Sequence, residues 1–388
     1  NMSALKPGLV PRLTPLGTTI FTTYSTIAAE TGAINLGQGF PDTDGPEWIR
    51  EAVTRAMAEG KGNQYPLGPG VIELRQAIAG HQKRYYGMDL DPTTEVLVTA
   101  GATEALTAAI IGLIDTDDEV IVFEPYYDSY RAATWMARGK VVALTMQAPN
   151  YELPIDELRK AITPRTKVIV VNTPHNPTGR VTTKAELQQV ADIAIAHNLV
   201  VISDEVYEHM AYDIDHVSIA TLPGMRDRTL VVSSAGKLFS YTGWKIGWIT
   251  GPKDLIDATK TVKQFLTFVV GGPFQYAVAE ALNKGDQWLT DLRLSLKSNR
   301  DYFCGELEKI GFEVHRPGGT YFTMVDVRSK GFSSADEFCQ QIPYSVGVVA
   351  IPAHVFYDHP ERGNWYARFA FCKKQSVLDK AIGNLKRI

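Results

Sequence analysis

Lys237 stands three residues after Ser234 and eight before Lys245, in the run Ser233-Ser234-Ala235-Gly236-Lys237-Leu238-Phe239-Ser240-Tyr241-Thr242-Gly243-Trp244-Lys245-Ile246-Gly247-Trp248. The β-branched run Thr229-Leu230-Val231-Val232 precedes it, and Ile246-Gly247-Trp248-Ile249-Thr250 follows. Both read as buried strands. A lysine among small residues, flanked by buried strands, loses part of its water. That loss lowers the ammonium pKa and frees the amine to attack carbonyl carbon. Ser234 and Lys245 stand where they could hold an anion close to that amine. Taken alone, Lys237 reads more readily as a solvated lysine beside a tryptophan-rich strand.

Further residues able to do chemistry fall at a repeated place in the pattern. From Val96 to Thr250, apolar runs alternate with helical stretches: Val96-Leu97-Val98, Val120-Ile121-Val122-Phe123, Val141-Val142-Ala143-Leu144, Val168-Ile169-Val170-Val171, Val200-Val201-Ile202 and Leu230-Val231-Val232. Continuous β-branched strands separated by helices predict a mostly parallel sheet covered on both faces, an α/β fold. Thr183-x-x-Glu186 reads as a capping box that opens one of the helices. Ligands of such sheets lie at the carboxyl ends of the strands. After the first run come Gly101, Ala102 and Thr103, small residues entering a helix whose free amides suit a phosphate. After the second come Tyr126 and Tyr127, and after the fourth the rigid turn Asn176-Pro177-Thr178-Gly179. After the fifth comes Asp204-Glu205-Val206-Tyr207. An aspartate at a buried strand end needs a cation. Glu205 could be that buried acid instead.

Two elements outside this sheet carry further candidates. Ile34-Asn35-Leu36-Gly37-Gln38-Gly39-Phe40-Pro41-Asp42 is a loop in which backbone can approach a ligand closely. Beyond Pro273 the period turns helical, over 276–282 and 288–310. Three strands then follow, at Gly318 to Val325, Val346 to Pro352 and Ala367 to Phe371. Arg368 alternates with Phe369 and Phe371, so it faces away from those rings. Its guanidinium fork matches a carboxylate. The pattern divides the chain into an N-terminal segment, 1–45, that joins the smaller unit, a large unit, 46–285, and a small C-terminal unit, 286–388.

Composition excludes several classes. The chain has 388 residues, 45% of them hydrophobic, with a net charge of -4 and no basic block, so neither nucleic acid nor a membrane surface is expected as a partner. Its longest apolar run, Ala108 to Ile114, is too short to span a bilayer. No charged start followed by an apolar stretch marks a secretory leader. Three scattered cysteines fit a reducing cytoplasm, and the eight histidines show no metal-ligand spacing, so no metal is expected.

Seven of these patterns, in order from Asn35 to Phe371, resemble the class I aminotransferases of fold type I, which use pyridoxal 5'-phosphate (PLP). The resemblance implies roles. Lys237 carries the cofactor and moves the substrate proton. Gly101, Ala102, Thr103, Ser234 and Lys245 hold the phosphate. Tyr127 stacks on the ring, Asp204 pairs with the ring nitrogen, and Asn176 and Tyr207 meet the ring oxygen. Gly39, Asn176 and Arg368 bind the substrate carboxylate, with Phe21 beside them. Asn63-Gln64-Tyr65-Pro66-Leu67-Gly68-Pro69-Gly70 resembles the family loop whose tyrosine crosses to the partner of a homodimer, here Tyr65. Two positions depart from the pattern. Many relatives have arginine where Lys245 stands, and asparagine is common where His175 stands, whose role is open.

The implied reaction passes an amine from an amino acid to 2-oxoglutarate. Asn63 to Gly70, Ser233 to Lys237, and Lys263-Gln264-Phe265 leading to Gly272-Pro273-Phe274-Gln275 resemble the branch that acts on N-succinyl-LL-2,6-diaminopimelate in lysine synthesis. Broad methionine, glutamine or kynurenine aminotransferases are the alternative, with C–S β-elimination open as a side activity. Lys263 is the candidate cation for the distal end of the succinyl substrate. Phe21, Tyr24, Phe265, Phe268 and Tyr357 could line either kind of pocket. A nucleotide-binding α/β protein would need a Gly-rich phosphate loop after a strand. A transcription regulator built on this fold would need a basic DNA-binding domain. Neither feature is in the sequence.

Overall fold

The structure, a computed structural model, describes residues 8–17 and 19–388. The first seven residues of the polar lead and Thr18 lie outside the described residues. Strand β1 (Ile34–Asn35) is followed by seven strands that form one sheet: β2 (Val96–Ala100), β3 (Glu119–Glu124), β4 (Lys140–Thr145), β5 (Thr166–Asn172), β6 (Val200–Asp204), β7 (Thr229–Ser234) and β8 (Ile246–Thr250). The C-terminal part adds β9 (Glu313–His315), β10 (Phe322–Asp326), β11 (Val348–Val349), β12 (Ile351–Pro352) and β13 (Tyr366–Ala370).

The large sheet runs in the order β2-β8-β7-β6-β5-β3-β4. Only β8 is antiparallel to its neighbours. Alternate side chains of one strand enter two different cores. Val168 and Val170 pack with the helices Gly101–Leu113 and Ser129–Met136, whereas Ile169 and Val171 pack with the helix Lys184–Ala196. Burial on both faces is why these strands read as unbroken apolar runs. Thr183 and Glu186 form the expected capping box at the start of that last helix. The helices Glu47–Ala58, Ile72–Tyr86 and Gly272–Lys284 cover the β2–β8 end. Among the described residues no helix is long and apolar enough to cross a membrane.

The C-terminal strands form a four-stranded antiparallel sheet, β12-β13-β10-β9, over an aromatic core that includes Phe303, Phe312, Phe338, Phe369 and Phe371. β1 pairs in parallel with β11, Ile34 opposite Val348. The N-terminal lead is thereby tied to the C-terminal part of the chain. Two expected strands differ in form. Val346 to Pro352 is two short strands, because β11 pairs with β1 and β12 turns to pair with β13. Gly318 to Tyr321 is irregular, and the strand begins only at Phe322. Gly319 passes so close to Met210 that a Cβ there would lie 2.5 Å from the Met210 carbonyl oxygen. Thr320 adopts φ +61°.

Candidate active site

The strand ends β2, β5, β6 and β7 open on one cavity of about 180 Å³. Gly101, Ala102, Thr103, Tyr127, Asn176, Asp204, Tyr207, Ser234, Lys237 and Lys245 all line it. These are ten of the eleven residues expected around a cofactor. The eleventh, Tyr65, is 82% exposed on the surface, its ring edge-on to Phe268 at 5.4 Å.

One end of the cavity is built for an anion. β2 runs directly into the helix Gly101–Leu113, whose first amides face the cavity. Gly101 holds φ +71°, and a Cβ there would lie about 3.1 Å from the Lys245 Nζ. Behind it, a Cβ on Gly247 would lie 2.5 Å from the Gly101 carbonyl carbon. The glycines therefore let strand, helix start and lysine close on one point. Lys245 itself sits at φ +59° and donates to Thr103 Oγ1 at 3.4 Å. A non-glycine residue held in this region marks a constrained site.

The opposite end carries the acid. Asp204 ends β6 and is buried. Tyr130 donates its hydroxyl to Asp204 Oδ2 at 2.6 Å, and no described residue offers Asp204 an ion-pair cation. Burial pushes this carboxyl up to about 6, against the pull of the Tyr130 and Val206 donors. Glu205 is already matched: it accepts from Ser203, Ser218 and His216. Of the two adjacent acids, Asp204 is the one that faces the cavity.

Lys237 lies between these ends, in the short helix Ala235–Phe239 that follows β7. Its Nζ donates to the Gly39 carbonyl at 3.3 Å and to Tyr321 Oη at 3.1 Å. Burial lowers its pKa to about 8. The Arg368 and Lys245 cations add to burial, while the Cys372 thiol and Asp204 carboxyl oppose it. Near neutral pH this amine is a usable base and nucleophile.

Arg368 on β13 donates to Asn176 Oδ1 at 2.8 Å and to the Gly37 carbonyl at 2.7 Å. It is buried, and its Nε has no partner among the described residues. The Phe322 ring lies 3.9 Å from its guanidinium carbon, with Phe356 at 5.1 Å and Phe21 at 5.4 Å. Asn172 at the end of β5 takes the Asn176 backbone N–H at 3.0 Å and so fixes the turn. The Asn176 amide oxygen is committed to Arg368, which leaves its hydrogens for the cavity. Gly39 packs against Tyr321 and Phe322, where a Cβ would lie 2.4 Å from the Phe322 ring.

Several expectations change. Lys263 is buried, and its Nζ donates to the Phe268 carbonyl at 2.6 Å. It braces a turn and does not line the cavity, so its ammonium is not presented there as a free cation. Phe265 is exposed on the surface, and Tyr24 and Tyr357 belong to the C-terminal core. His175 bonds Thr178 Oγ1 at 2.6 Å, and burial lowers its pKa to about 3. It is a neutral brace of the Asn176–Pro177 turn. The fold also gathers His81, Glu208 and His209, which no sequence spacing announced. Their polar atoms are matched to one another and to Tyr86 and Ser233. Tyr130, Asn172 and Tyr321 went unnoticed in the sequence. Tyr130 was findable, three residues beyond Tyr127 at a helix start. Tyr321 lies in an irregular turn and follows no period.

The model of the family "Aminotransferase class I and II" matches residues 31–384. The chain belongs to this family. A solved structure of N-succinyldiaminopimelate aminotransferase from Mycobacterium tuberculosis superposes with a TM-score of 0.96 at 48% identity, covering 98% of this chain and 100% of that one. The methionine aminotransferase of Escherichia coli is 39% identical, over 98% of this chain and 99% of its own length. A kynurenine–oxoglutarate transaminase of Dictyostelium discoideum is 36% identical, over 96% and 94%. The fold is that of these aminotransferases, and the cavity at the strand ends is its candidate active site.

The acid end gives a measurable consequence. A carboxyl whose pKa is raised on folding binds its proton more tightly in the folded chain. Stability is then lost as pH rises from 3.8 through about 6, and the full loss is present above that. In ligand-free protein, Asp204→Asn should therefore raise stability at pH 7 by roughly 3 kcal/mol, from about two pKa units. The gain should vanish near pH 4. Melting curves of both proteins at the two pH values check this; equal melting at pH 7 would contradict it.

Proposed function

We propose that this aminotransferase uses PLP and acts on N-succinyl-LL-2,6-diaminopimelate, with 2-oxoglutarate as the amine acceptor. The residues present fit the cofactor. The amides of Gly101 to Thr103, Ser234 and Lys245 would hold its phosphate, in the cradle that a Cβ at Gly101 or Gly247 would fill. Asp204, buried with no described cation beside it, would receive the protonated ring nitrogen. Tyr127 would cover the ring, and Asn176 and Tyr207 would meet its oxygen. When bound, PLP supplies a carbonyl that takes up the substrate amine and a ring that draws electrons from Cα.

The chain's own residues do the rest. Arg368 and Asn176 hold the α-carboxylate, and the unpartnered Arg368 Nε is a donor still to be satisfied. Lys237 would take the proton from Cα as a base and, as its conjugate acid, give it up again on the far side of the substrate nitrogen. Positioned proton transfer of this kind contributes roughly two to four powers of ten in rate. The cavity walls exclude water while the proton moves.

The substrate rests on one observation: 48% identity to the M. tuberculosis enzyme along nearly the whole of both chains. A second reading, a broad methionine, glutamine or kynurenine aminotransferase, is favoured by the Phe21 and Phe356 rings around Arg368, which suit an apolar side chain. The deciding measurement is kcat/KM for N-succinyl-LL-2,6-diaminopimelate, methionine, glutamine and kynurenine, each with 2-oxoglutarate. The succinyl substrate should lead by tenfold or more, about 1.4 kcal/mol. A tenfold lead for any of the others would replace it.

A homodimer with shared sites completes the proposal. Tyr65 and Phe268 are exposed and in contact, with Leu67 and Phe265 exposed as well, and a second copy would cover them and bring Tyr65 to the partner's phosphate. Mixed dimers of Tyr65→Phe and Lys237→Ala chains, each weak or inactive alone, should recover activity above that of either parent. No recovery after proven mixing would place Tyr65 outside the partner's site.

A further inference from the structure

Lys237 Nζ, Tyr321 Oη and the Gly39 carbonyl form a closed triangle with sides of 3.1, 3.3 and 2.6 Å. Three distant segments meet there: the helix after β7, the turn before β10 and the loop after β1. The phenol has one hydrogen, and the 2.6 Å contact commits it to the Gly39 carbonyl. Toward Lys237, Tyr321 therefore acts as an acceptor. A neutral amine has two N–H groups and one lone pair. Gly39 and Tyr321 take the two hydrogens, so the lone pair points away from both.

We propose that Tyr321 is a positioning residue: its phenol oxygen orients the Lys237 amine, when that amine is free, so that its lone pair faces the reacting carbon. This rests on the reading that Lys237 is the reacting amine. Tyr321 is itself held firmly. It is buried, edge-on to Tyr207 at 5.3 Å, and its carbonyl accepts from Phe371 N–H at 2.8 Å. The charged and titratable groups around the amine are Asp204, Tyr207, Lys245, Arg368 and Cys372. None of them is hydrogen-bonded to its nitrogen, so Tyr321 is the side chain that sets its direction.

The triangle also ties amine to substrate. Arg368 donates to the Gly37 carbonyl, and Lys237 and Tyr321 to that of Gly39, two residues on. The loop that helps place the carboxylate thus carries the anchor of the base. In the proton step the Cα–H bond breaks, its electron pair stays on the carbon side, and the proton goes to the Lys237 lone pair. Misdirecting that lone pair slows this step and leaves substrate binding nearly intact.

Tyr321→Phe removes one oxygen and keeps the ring packing. Borohydride reduction of the coloured holoenzyme should still fix the cofactor to the peptide that contains Lys237. For the amino-acid half-reaction, kcat should fall about 10- to 100-fold, KM should change less than threefold, and the Cα-deuterium isotope effect should rise. In apo-protein, Lys237 should react more slowly with formaldehyde and borohydride than in the wild type. A graded check replaces Tyr321 with 3-fluorotyrosine, a weaker acceptor, which should give a partial loss. Wild-type kcat and isotope effect in Tyr321→Phe would overturn the inference. So would a loss in which kcat, KM and melting temperature fall together with the isotope effect unchanged, since that is a structural role. Fixation to another lysine would overturn the reading of Lys237 first, and the inference with it.

Discussion

The site depends on taking a lysine amine out of water without giving it a counter-ion. Lys237 is buried, its two hydrogen-bond partners are neutral oxygens, and two of the nearest charges are cations. Burial and the two cations favour the uncharged amine, while the two oxygens accept its hydrogens in place of water. Everything that makes the cavity usable follows from keeping that arrangement. The small residues around Lys237 let it sit at the sheet, and the glycines at 101 and 247 let Lys245 approach from the anion end. At the far end an acid is kept without an ion-pair cation among the described residues, held by the Tyr130 hydroxyl. The empty protein thus holds a base and an acid whose charged forms are both disfavoured relative to water. A ligand with an anionic end, a flat ring and a cationic nitrogen relieves both.

The sheet makes this affordable in structural terms. Burial of both faces leaves the carboxyl ends of the strands as the place where polar groups can converge. β2 supplies helix amides, β5 an asparagine turn, β6 the acid and β7 the lysine. The C-terminal part closes the fourth side with Arg368 and Tyr321. The pairing of β1 with β11 brings the Gly37–Gly39 loop against both. A site assembled from so many segments is rigid only when all of them are folded. That explains why its smallest parts, a carbonyl and a phenol, can direct an amine.

Much of this was legible in the sequence because it follows periods. The buried strands announce themselves as β-branched runs, and the residues just after them are those that meet in space. Arg368 could be assigned a face because it alternates with Phe369 and Phe371, which do enter the aromatic core. Its own burial against Phe322 could not be read, since that ring comes from a neighbouring strand. Lys263 misled for a related reason. A lysine on an amphipathic helix reads as solvated or as a free cation, and nothing local shows that its ammonium folds back onto Phe268. Tyr321 lies in a turn shaped by Gly319 passing close to Met210, a contact between residues more than a hundred apart in sequence. The distal part of the substrate site is equally non-local, and no motif records it.

The state of the Lys237 amine is the point on which the account turns. With lysine labelled by 13C at Cε, the Lys237 resonance can be assigned by its loss in Lys237→Arg and followed against pH in ligand-free protein. The account requires a midpoint near pH 8, where burial and the flanking cations put it. A midpoint above pH 10, that of an ordinary solvated lysine, would contradict it.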